Sequence, residues 1–95
     1  MEHVDPVMTV LGRGRAAILH EIDFEVQRSA MHGTRFASLH EAWGVMFEEL
    51  DEIWDITRMK RRDRDPAHIR KELIQLAAMA VKSIDSMDNF VGGNV

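Results

Sequence analysis

Proline is the residue that most constrains this sequence, because its 95 residues contain only two, Pro6 and Pro66. A proline inside a helix or a central strand removes a backbone hydrogen bond, so a chain that almost lacks proline can form long uninterrupted elements. Aromatic residues make up only 6% of the sequence and tyrosine is absent, which is not typical of a protein built from short strands. The sequence therefore predicts an all-α fold.

The length predicts a single domain that covers residues 1–95. A chain of this size buries only about 60–65% of the surface of its unfolded form. It contains no cysteine, so neither a disulfide nor a thiolate metal site can add to the stability of a small core. We therefore expect the chain to bury further surface against copies of itself.

The charge of the chain limits its partners. Asp and Glu outnumber Lys and Arg by 16 to 12, and the net charge of −4 is the wrong sign for a protein that coats nucleic acid. No apolar segment approaches the roughly 18–20 residues that span a bilayer, and the first residues lack the pattern of a signal peptide. We expect a cytoplasmic protein that binds neither nucleic acid nor membrane.

Apolar spacing predicts a first helix over residues 16–30. Ile18, Ile22 and Val26 recur every fourth residue there and form one amphipathic face. Gly33 and the threonine after it are expected to end this segment.

Capping residues predict the starts of two further helices. Ser38 and Glu41 have the form of a capping box, and the helix after them is predicted to run to about residue 60. Asp65 and Pro66 form an N-cap followed by a proline at the first helical position, and that helix is predicted to run to about residue 87. Residues 89–95 are predicted to be a flexible tail.

The second and third helices, joined by a short polar loop, are predicted to form a hairpin. A projection at 100° per residue puts the apolar side chains of the second helix on one broad face, which includes Trp43 and Trp54 and is predicted to be core. The third helix carries a similar apolar arc. Because a hairpin alone cannot bury two such faces, we expect helical hairpins to assemble into a four-helix-bundle-type oligomer.

Besides Asp51, the second helix carries five acidic side chains, namely Glu41, Glu48, Glu49, Glu52 and Asp55. No Lys or Arg lies between Arg35 and Arg58 to neutralise them. One interpretation is a solvated acidic face. The other is a cluster that faces protein, because Val45 and Ile56 project beside the carboxylates. Partly buried carboxylates without basic partners need protons or cations, and their oxygens suit Mg²⁺ or Mn²⁺ rather than zinc.

Glu72 of the third helix is the acid that can join this cluster. In an antiparallel hairpin that turns near Arg62, Glu72 lies as far from the turn as Glu52, and Gln75 lies as far from it as Glu49. A third carboxylate can then face the first two. The alternative is that Glu72 is a charge at the edge of the apolar arc, and the spacing leaves both interpretations open.

Two motifs give the chain a likeness to a known family. Glu48-Glu49-Leu50-Asp51-Glu52, followed by Lys71-Glu72-Leu73-Ile74-Gln75-Leu76, resembles the EExxE and ExxD motifs of the MazG-like, all-α nucleoside triphosphate pyrophosphohydrolases. The likeness covers about residues 38–88. It implies a homodimer or homotetramer of helical hairpins that uses Mg²⁺ (or Mn²⁺) to hydrolyse a (d)NTP to the monophosphate and pyrophosphate.

The resemblance also implies roles for individual residues. Glu49, Glu52 and Glu72 would be metal ligands, and Glu48 would be a further ligand or the base that orients the attacking water. The family places an aspartate where this sequence has Gln75. An amide oxygen can still bind Mg²⁺, directly or through water, but the site then carries one negative charge fewer.

Basic residues are needed to hold the phosphates of such a substrate. The candidates are Lys60, Arg61, Arg62, Arg64 and Lys71. The alternative for the basic loop is a solvated turn that complements the C-terminus of the preceding helix.

A non-enzymatic helical dimer that binds nucleotides or serves a regulatory or structural role is the competing function. Other metal enzymes fit the sequence less well. No histidine follows a glutamate by three residues, as in di-iron bundles, and no two histidines share a zinc-ligand spacing. The sequence leaves the pyrophosphohydrolase and the non-enzymatic dimer open.

Overall fold

The computed structural model describes residues 14–92, and in this range the chain forms helices and no strand. Three α-helices follow one another: α1 at Gly14–Ser29, α2 at Leu39–Thr57 and α3 at Pro66–Asp85. Single 3₁₀ turns lie at Ala30–His32, Arg61–Asp63 and Met87–Asn89. The predicted all-α class is confirmed. No described helix has the length and apolar character needed to cross a bilayer.

Both predicted helix starts are confirmed by their caps. The Ser38 hydroxyl accepts a hydrogen bond from the N–H of Glu41 at 3.1 Å, and the Asp65 carboxylate accepts one from the N–H of Ala67 at 3.0 Å. Pro66 occupies the first turn of α3, where its missing N–H has no helical partner to lose.

The helices end earlier than predicted. α2 ends at Thr57 rather than near residue 60, and α3 ends at Asp85 rather than near residue 87. At the end of α2, the Arg64 guanidinium donates to the carbonyls of Ile56 (3.2 Å) and Thr57 (2.6 Å). The Ile56 carbonyl also accepts from the N–H of Met59 at 3.0 Å, so the end of α2 is satisfied by one backbone turn and by a side chain from the following loop.

α3 is the central helix, and α1 and α2 each pack against it. The Ser83 hydroxyl lies 3.9 Å from the Met46 sulfur, whereas Glu72 lies beside Glu52 nearer the turn, so α2 and α3 form the antiparallel hairpin that the sequence predicts. α1 runs parallel to α3, because its residues 21 and 25 bond to residues 70 and 75 in the same order.

A single layer of helices buries little apolar surface. The molecule measures 57 × 35 × 19 Å and has a radius of gyration of 16.0 Å, whereas a compact domain of this length has one of about 12 Å. The buried apolar residues are Phe36, Ala42, Ile56, Ile74 and Ala78. The prediction that Trp43 and Trp54 lie in the core is wrong for one chain, in which they are 60% and 56% exposed.

The exposed apolar side chains of α2 form a continuous surface, which we call the α2 stripe. It consists of Leu39, Trp43, Phe47, Leu50 and Trp54. Their spacing of three or four residues places them within one side of the helix. The rings of Trp43 and Phe47 stack with centroids 5.3 Å apart. Apolar side chains of α3 are exposed as well, at Leu73, Val81 and Ile84, and Met87 is exposed in the 3₁₀ turn after it.

The end of α3 is tied to the loop before α2 by a buried serine. The Ser86 hydroxyl accepts from the N–H of Phe36 at 2.9 Å and donates to the carbonyl of Lys82 at 2.7 Å. The Asn89 side chain donates to the Phe36 carbonyl at 2.8 Å. Asn89, the first residue of the predicted flexible tail, thus contacts the body of the fold, and residues 93–95 lie outside the described range.

We expect Ser86→Ala to lower the free energy of unfolding by about 1–3 kcal/mol, because the N–H of the buried Phe36 loses its acceptor. Urea denaturation followed by circular dichroism measures this change. Ser29→Ala is the matched control, since its part-buried hydroxyl donates within its own helix to the Val26 carbonyl at 3.1 Å. Equal losses in the two variants would contradict the role of Ser86 as a tie between segments.

Candidate metal site

Three glutamates from two helices converge at the centre of the hairpin. Glu49 and Glu52 lie one turn apart on α2, and Glu72 faces them from α3. One carboxylate oxygen of each lies within 4.8 Å of the others. We call this group the carboxylate cluster. Its members are the three acids that the sequence proposes as metal ligands.

Glu72 is the most enclosed member of the cluster. It is 6% exposed, and its Oε2 is buried without a hydrogen-bond donor from residues 14–92, as is Oε2 of Glu49. The other oxygen of Glu72, Oε1, lies 3.5 Å from Nε2 of His68, one turn earlier on α3. Because a buried carboxylate oxygen without a partner is unfavourable, each orphaned oxygen requires a proton or a cation.

The proton affinity of the cluster reflects this crowding. Burial of the Glu49 carboxyl, followed by the charges of Glu52 and Glu72, raises the pKa of Glu49 to about 7. The pKa of Glu52 is also raised, first by sharing a proton with Glu72 and then by burial, while Lys71 acts in the opposite direction. Like charges held this close disfavour full ionisation.

The donor set fits a hard divalent cation. Three carboxylates supply oxygen ligands only, which suits Mg²⁺ or Mn²⁺ and not the nitrogen and sulfur ligands of a zinc site. The orphaned oxygens of Glu49 and Glu72 are the atoms that such a cation would satisfy. A cation would also offset the repulsion that contributes to both raised pKa values.

Glu48 lies outside the carboxylate cluster, and Gln75 makes its hydrogen bond to a different helix. Glu48 precedes Glu49 on α2 and is exposed to solvent. Gln75 is half-buried, and its amide nitrogen donates to the Glu25 carboxylate of α1 at 3.1 Å. The structure therefore ties Gln75 to a helix that the sequence did not connect with the site.

The basic candidates separate into three groups. Arg64 caps α2, which is the structural role that the sequence left as an alternative for this loop. Lys60, Arg61 and Arg62 are exposed at the turn between α2 and α3. Lys71 is exposed, acts electrostatically on Glu52, and lines a cavity between α1 and α3.

That cavity has a volume of about 340 Å³, and its lining among the described residues includes none of the three carboxylates of the cluster. Lys71 and Gln75, which lie on either side of Glu72 in sequence, form part of its wall, and α1 contributes His20 and the 60% exposed ring of Phe24. An ion pair between Glu21 of α1 and Arg70 of α3 closes one side.

Sequence reasoning missed the contributions of His68 and of α1. For His68 a signal existed, since it precedes Glu72 by four residues and such pairs meet on one helix face. The α1 residues carry no comparable signal, because their contacts to α3 join residues about 50 positions apart.

The raised pKa of Glu49 predicts how stability depends on pH. A carboxyl whose pKa is higher in the folded than in the unfolded chain stabilises the fold while it is protonated, and this contribution is lost as the pH rises toward and through about 7. We therefore expect the free energy of unfolding, measured by urea denaturation in EDTA at fixed protein concentration, to fall between pH 5 and pH 8.

Glu49→Gln should remove much of this decline, because the amide has the same shape and no proton to release. Glu48→Gln is the control, and its profile should follow that of the wild type, so histidine titration common to all three proteins cancels. A decline of equal size in wild type and Glu49→Gln would show that Glu49 is not its source.

Comparison of the chain with protein-family models, with curated proteins and with solved structures found no match. The chemistry of the carboxylate cluster and its surroundings therefore has to carry the functional interpretation.

Proposed function

We propose that the chain is a Mg²⁺-dependent nucleoside triphosphate pyrophosphohydrolase, which cleaves a (d)NTP to the (d)NMP and pyrophosphate. The observation that carries the proposal is the convergence of Glu49, Glu52 and Glu72 around orphaned buried oxygens. The likeness of both acidic motifs to those of the MazG-like enzymes supports the same assignment.

The carboxylate cluster holds the cation in this proposal. A bound Mg²⁺ or Mn²⁺ would neutralise phosphate oxygens and lower the pKa of a water molecule. Glu72 anchors the site from the buried side, and Glu49 and Glu52 complete it from α2. Within residues 14–92 no Lys or Arg forms an ion pair with these three acids, and the basic side chain in contact with them is His68, 3.5 Å from Oε1 of Glu72.

Glu48 is the proposed base. It is exposed, and no ion pair or hydrogen bond engages its side chain in residues 14–92, so it is free to accept a proton from water. Its neighbour Glu49 belongs to the cluster, which places Glu48 one helical position from the proposed ligands.

The cavity between α1 and α3 is the proposed site of the nucleoside. Phe24 offers an exposed ring on which a base can stack, and Lys71 places a positive charge between the cavity and the carboxylates. Lys60, Arg61 and Arg62 remain further candidates for phosphate contact. A homodimer or homotetramer of the hairpins is the proposed working form, since the α2 stripe is open in one chain.

A non-enzymatic nucleotide-binding or regulatory dimer is the second candidate. Gln75 favours it, because its amide is bound to Glu25 and it gives the site no fourth carboxylate.

Two measurements test these functions on the purified chain. Each (d)NTP is incubated with Mg²⁺, Mn²⁺ or EDTA, and we expect pyrophosphate and monophosphate to appear in equal amounts only with metal. Calorimetric titration with Mn²⁺ is the second measurement. Metal binding without product from any (d)NTP would support the second candidate, whereas neither binding nor product would contradict the proposed metal site.

A further inference from the structure

Gln75 is joined to α1 by a hydrogen bond between helices. Its Nε2 donates to Oε2 of Glu25 at 3.1 Å, and both side chains are partly buried where α1 packs along α3. Gln75 follows Glu72 by three residues, so the two side chains are neighbours on one turn of α3. The bond therefore connects α1 to the edge of the carboxylate cluster.

Glu25 is itself held in place. Arg28, one turn later on α1, donates from Nη2 to Oε2 of Glu25 at 2.9 Å and from Nε to both carboxylate oxygens at 3.2 Å. The Glu25 side chain is 22% exposed. Because these three hydrogen bonds hold the Glu25 carboxylate in one position, it is a fixed acceptor for the amide of Gln75.

A fixed acceptor determines which way the amide faces. An ionised carboxylate only accepts hydrogen bonds, so a rotated amide would place its carbonyl oxygen against the oxygens of Glu25 with no proton between them. The NH₂ group of Gln75 therefore faces α1, and Oε1 points away from Glu25. No hydrogen-bond donor within residues 14–92 engages this Oε1.

We infer that Glu25 is a positioning residue of the metal site: it turns the Gln75 amide so that its carbonyl oxygen faces the cation of the carboxylate cluster, directly or through a water. The inference rests on the proposed function. Without Glu25 the amide rotates, and its NH₂ group, which carries partial positive charge, competes with the oxygen for the same position. α1 thereby takes part in metal binding without supplying a ligand.

Calorimetric titration of the full chain with Mn²⁺ tests this role. We expect Glu25→Leu to raise the Kd by about 10–100-fold, the usual effect of removing a residue that orients a ligand. Glu25→Gln keeps an acceptor oxygen for Gln75 and should lose less. Gln75→Leu should lose as much as Glu25→Leu, and the double variant should lose no more than either single one, because the two side chains act as a unit.

The matched control is Asp23→Asn, which removes one negative charge from the same helix. Asp23 is exposed and receives a hydrogen bond from Gln27 at 2.8 Å. Its Kd for Mn²⁺ should stay within about twofold of the wild type. A general effect of charge on α1 would instead weaken binding equally in Asp23→Asn and Glu25→Leu.

A second readout follows the amide without metal. In ¹⁵N spectra, the side-chain NH₂ signals of Gln75 should move and lose protection from hydrogen exchange in Glu25→Leu and remain in place in Asp23→Asn. Circular dichroism and the urea midpoint check that each variant keeps the fold. The ion pair between Glu21 and Arg70 still joins α1 to α3 in these variants.

Three results would overturn the inference. They are an unchanged Kd in Glu25→Leu, a loss no larger than that of Asp23→Asn, and additive losses in the double variant. Each leaves the proposed function in place, provided that the wild type binds Mn²⁺. A wild type that binds no Mn²⁺ contradicts the proposed metal site itself, and the positioning role falls with it.

Discussion

Glu49→Gln should lose metal-dependent pyrophosphate release by a factor on the order of 100 or more and should bind Mn²⁺ more weakly by a similar factor. The substitution keeps the size of the side chain and removes the ionisable carboxyl of Glu49, which with Glu72 is one of two cluster members whose Oε2 is buried without a donor from residues 14–92. Orienting residues around a metal site are worth about 10–100-fold in affinity, and a proposed direct ligand should be worth at least as much.

Glu48→Gln separates the base from the ligands. If Glu48 takes the proton from water, its loss should lower kcat by about 10²–10⁴-fold. The Kd for Mn²⁺ should change by less than about twofold, because Glu48 lies outside the group of converging oxygens. Activity and metal affinity would then fall together in Glu49→Gln, whereas activity alone would fall in Glu48→Gln.

Asp51→Asn is the matched control for both variants, since Asp51 is an exposed acid of the same helix outside the cluster. Its activity and Mn²⁺ affinity should equal those of the wild type. Product release that continues undiminished in Glu49→Gln would assign the reaction to other residues or to a contaminating enzyme.

The sequence predicts the helices and gives the cluster as one of two interpretations, because both depend on short-range regularities. Ser38, Asp65 and Pro66 act within one turn of the helix that each one starts, so their residue types predict their structure. The meeting of Glu52 with Glu72 depends on one short loop, and counting residues from the turn places them side by side.

The contacts of α1 could not be predicted from the sequence, because they are long-range. The bond between Glu25 and Gln75 depends on how α1 packs against α3, and these two helices are separated in the sequence by α2. Periodicity predicts that α1 has an apolar face but not which side of α3 receives it. The burial of Trp43 is limited in the same way. Its apolar character predicts that it is buried but does not indicate whether its own chain or a second copy covers it.

The remaining prediction concerns the α2 stripe. We expect light scattering to give a mass of at least two chains for the wild type and of one chain for Leu50→Lys. Leu50 is 52% exposed in one chain and lies near the middle of the stripe, so lysine there removes no packing within the chain. Against a second copy it would bury a charge without a partner.

The dimensions of the chain argue for a second copy as the occupant of this surface. A face of 57 × 35 Å exceeds the roughly 800 Å² that each partner contributes to a stable interface. Exposed large apolar side chains also lie on α1 and α3, including Ile18, Leu73 and Ile84, so the apolar surface extends beyond the stripe. A single layer of helices 19 Å thick can bury its apolar face only if another layer packs against that face.

Glu48→Lys introduces the same charge two residues away, almost on the opposite side of α2, and should leave the mass unchanged. A wild type of single-chain mass at micromolar concentration would contradict the prediction. So would Leu50→Lys that stays oligomeric with an unchanged unfolding curve.

The Leu50→Lys variant also tests whether assembly and metal binding are separate. Trp43→Ala is a milder variant, because it removes part of the α2 stripe without introducing a charge. It should weaken the dimer by about 2 kcal/mol or more, the effect of removing an interface hot spot. All three carboxylates of the cluster belong to one chain, and Glu72 is buried within that chain. A folded monomeric variant should therefore bind Mn²⁺ with wild-type affinity. If affinity instead falls with the mass, the second copy must support the cluster, and the open stripe would be part of the metal site as well as of the interface.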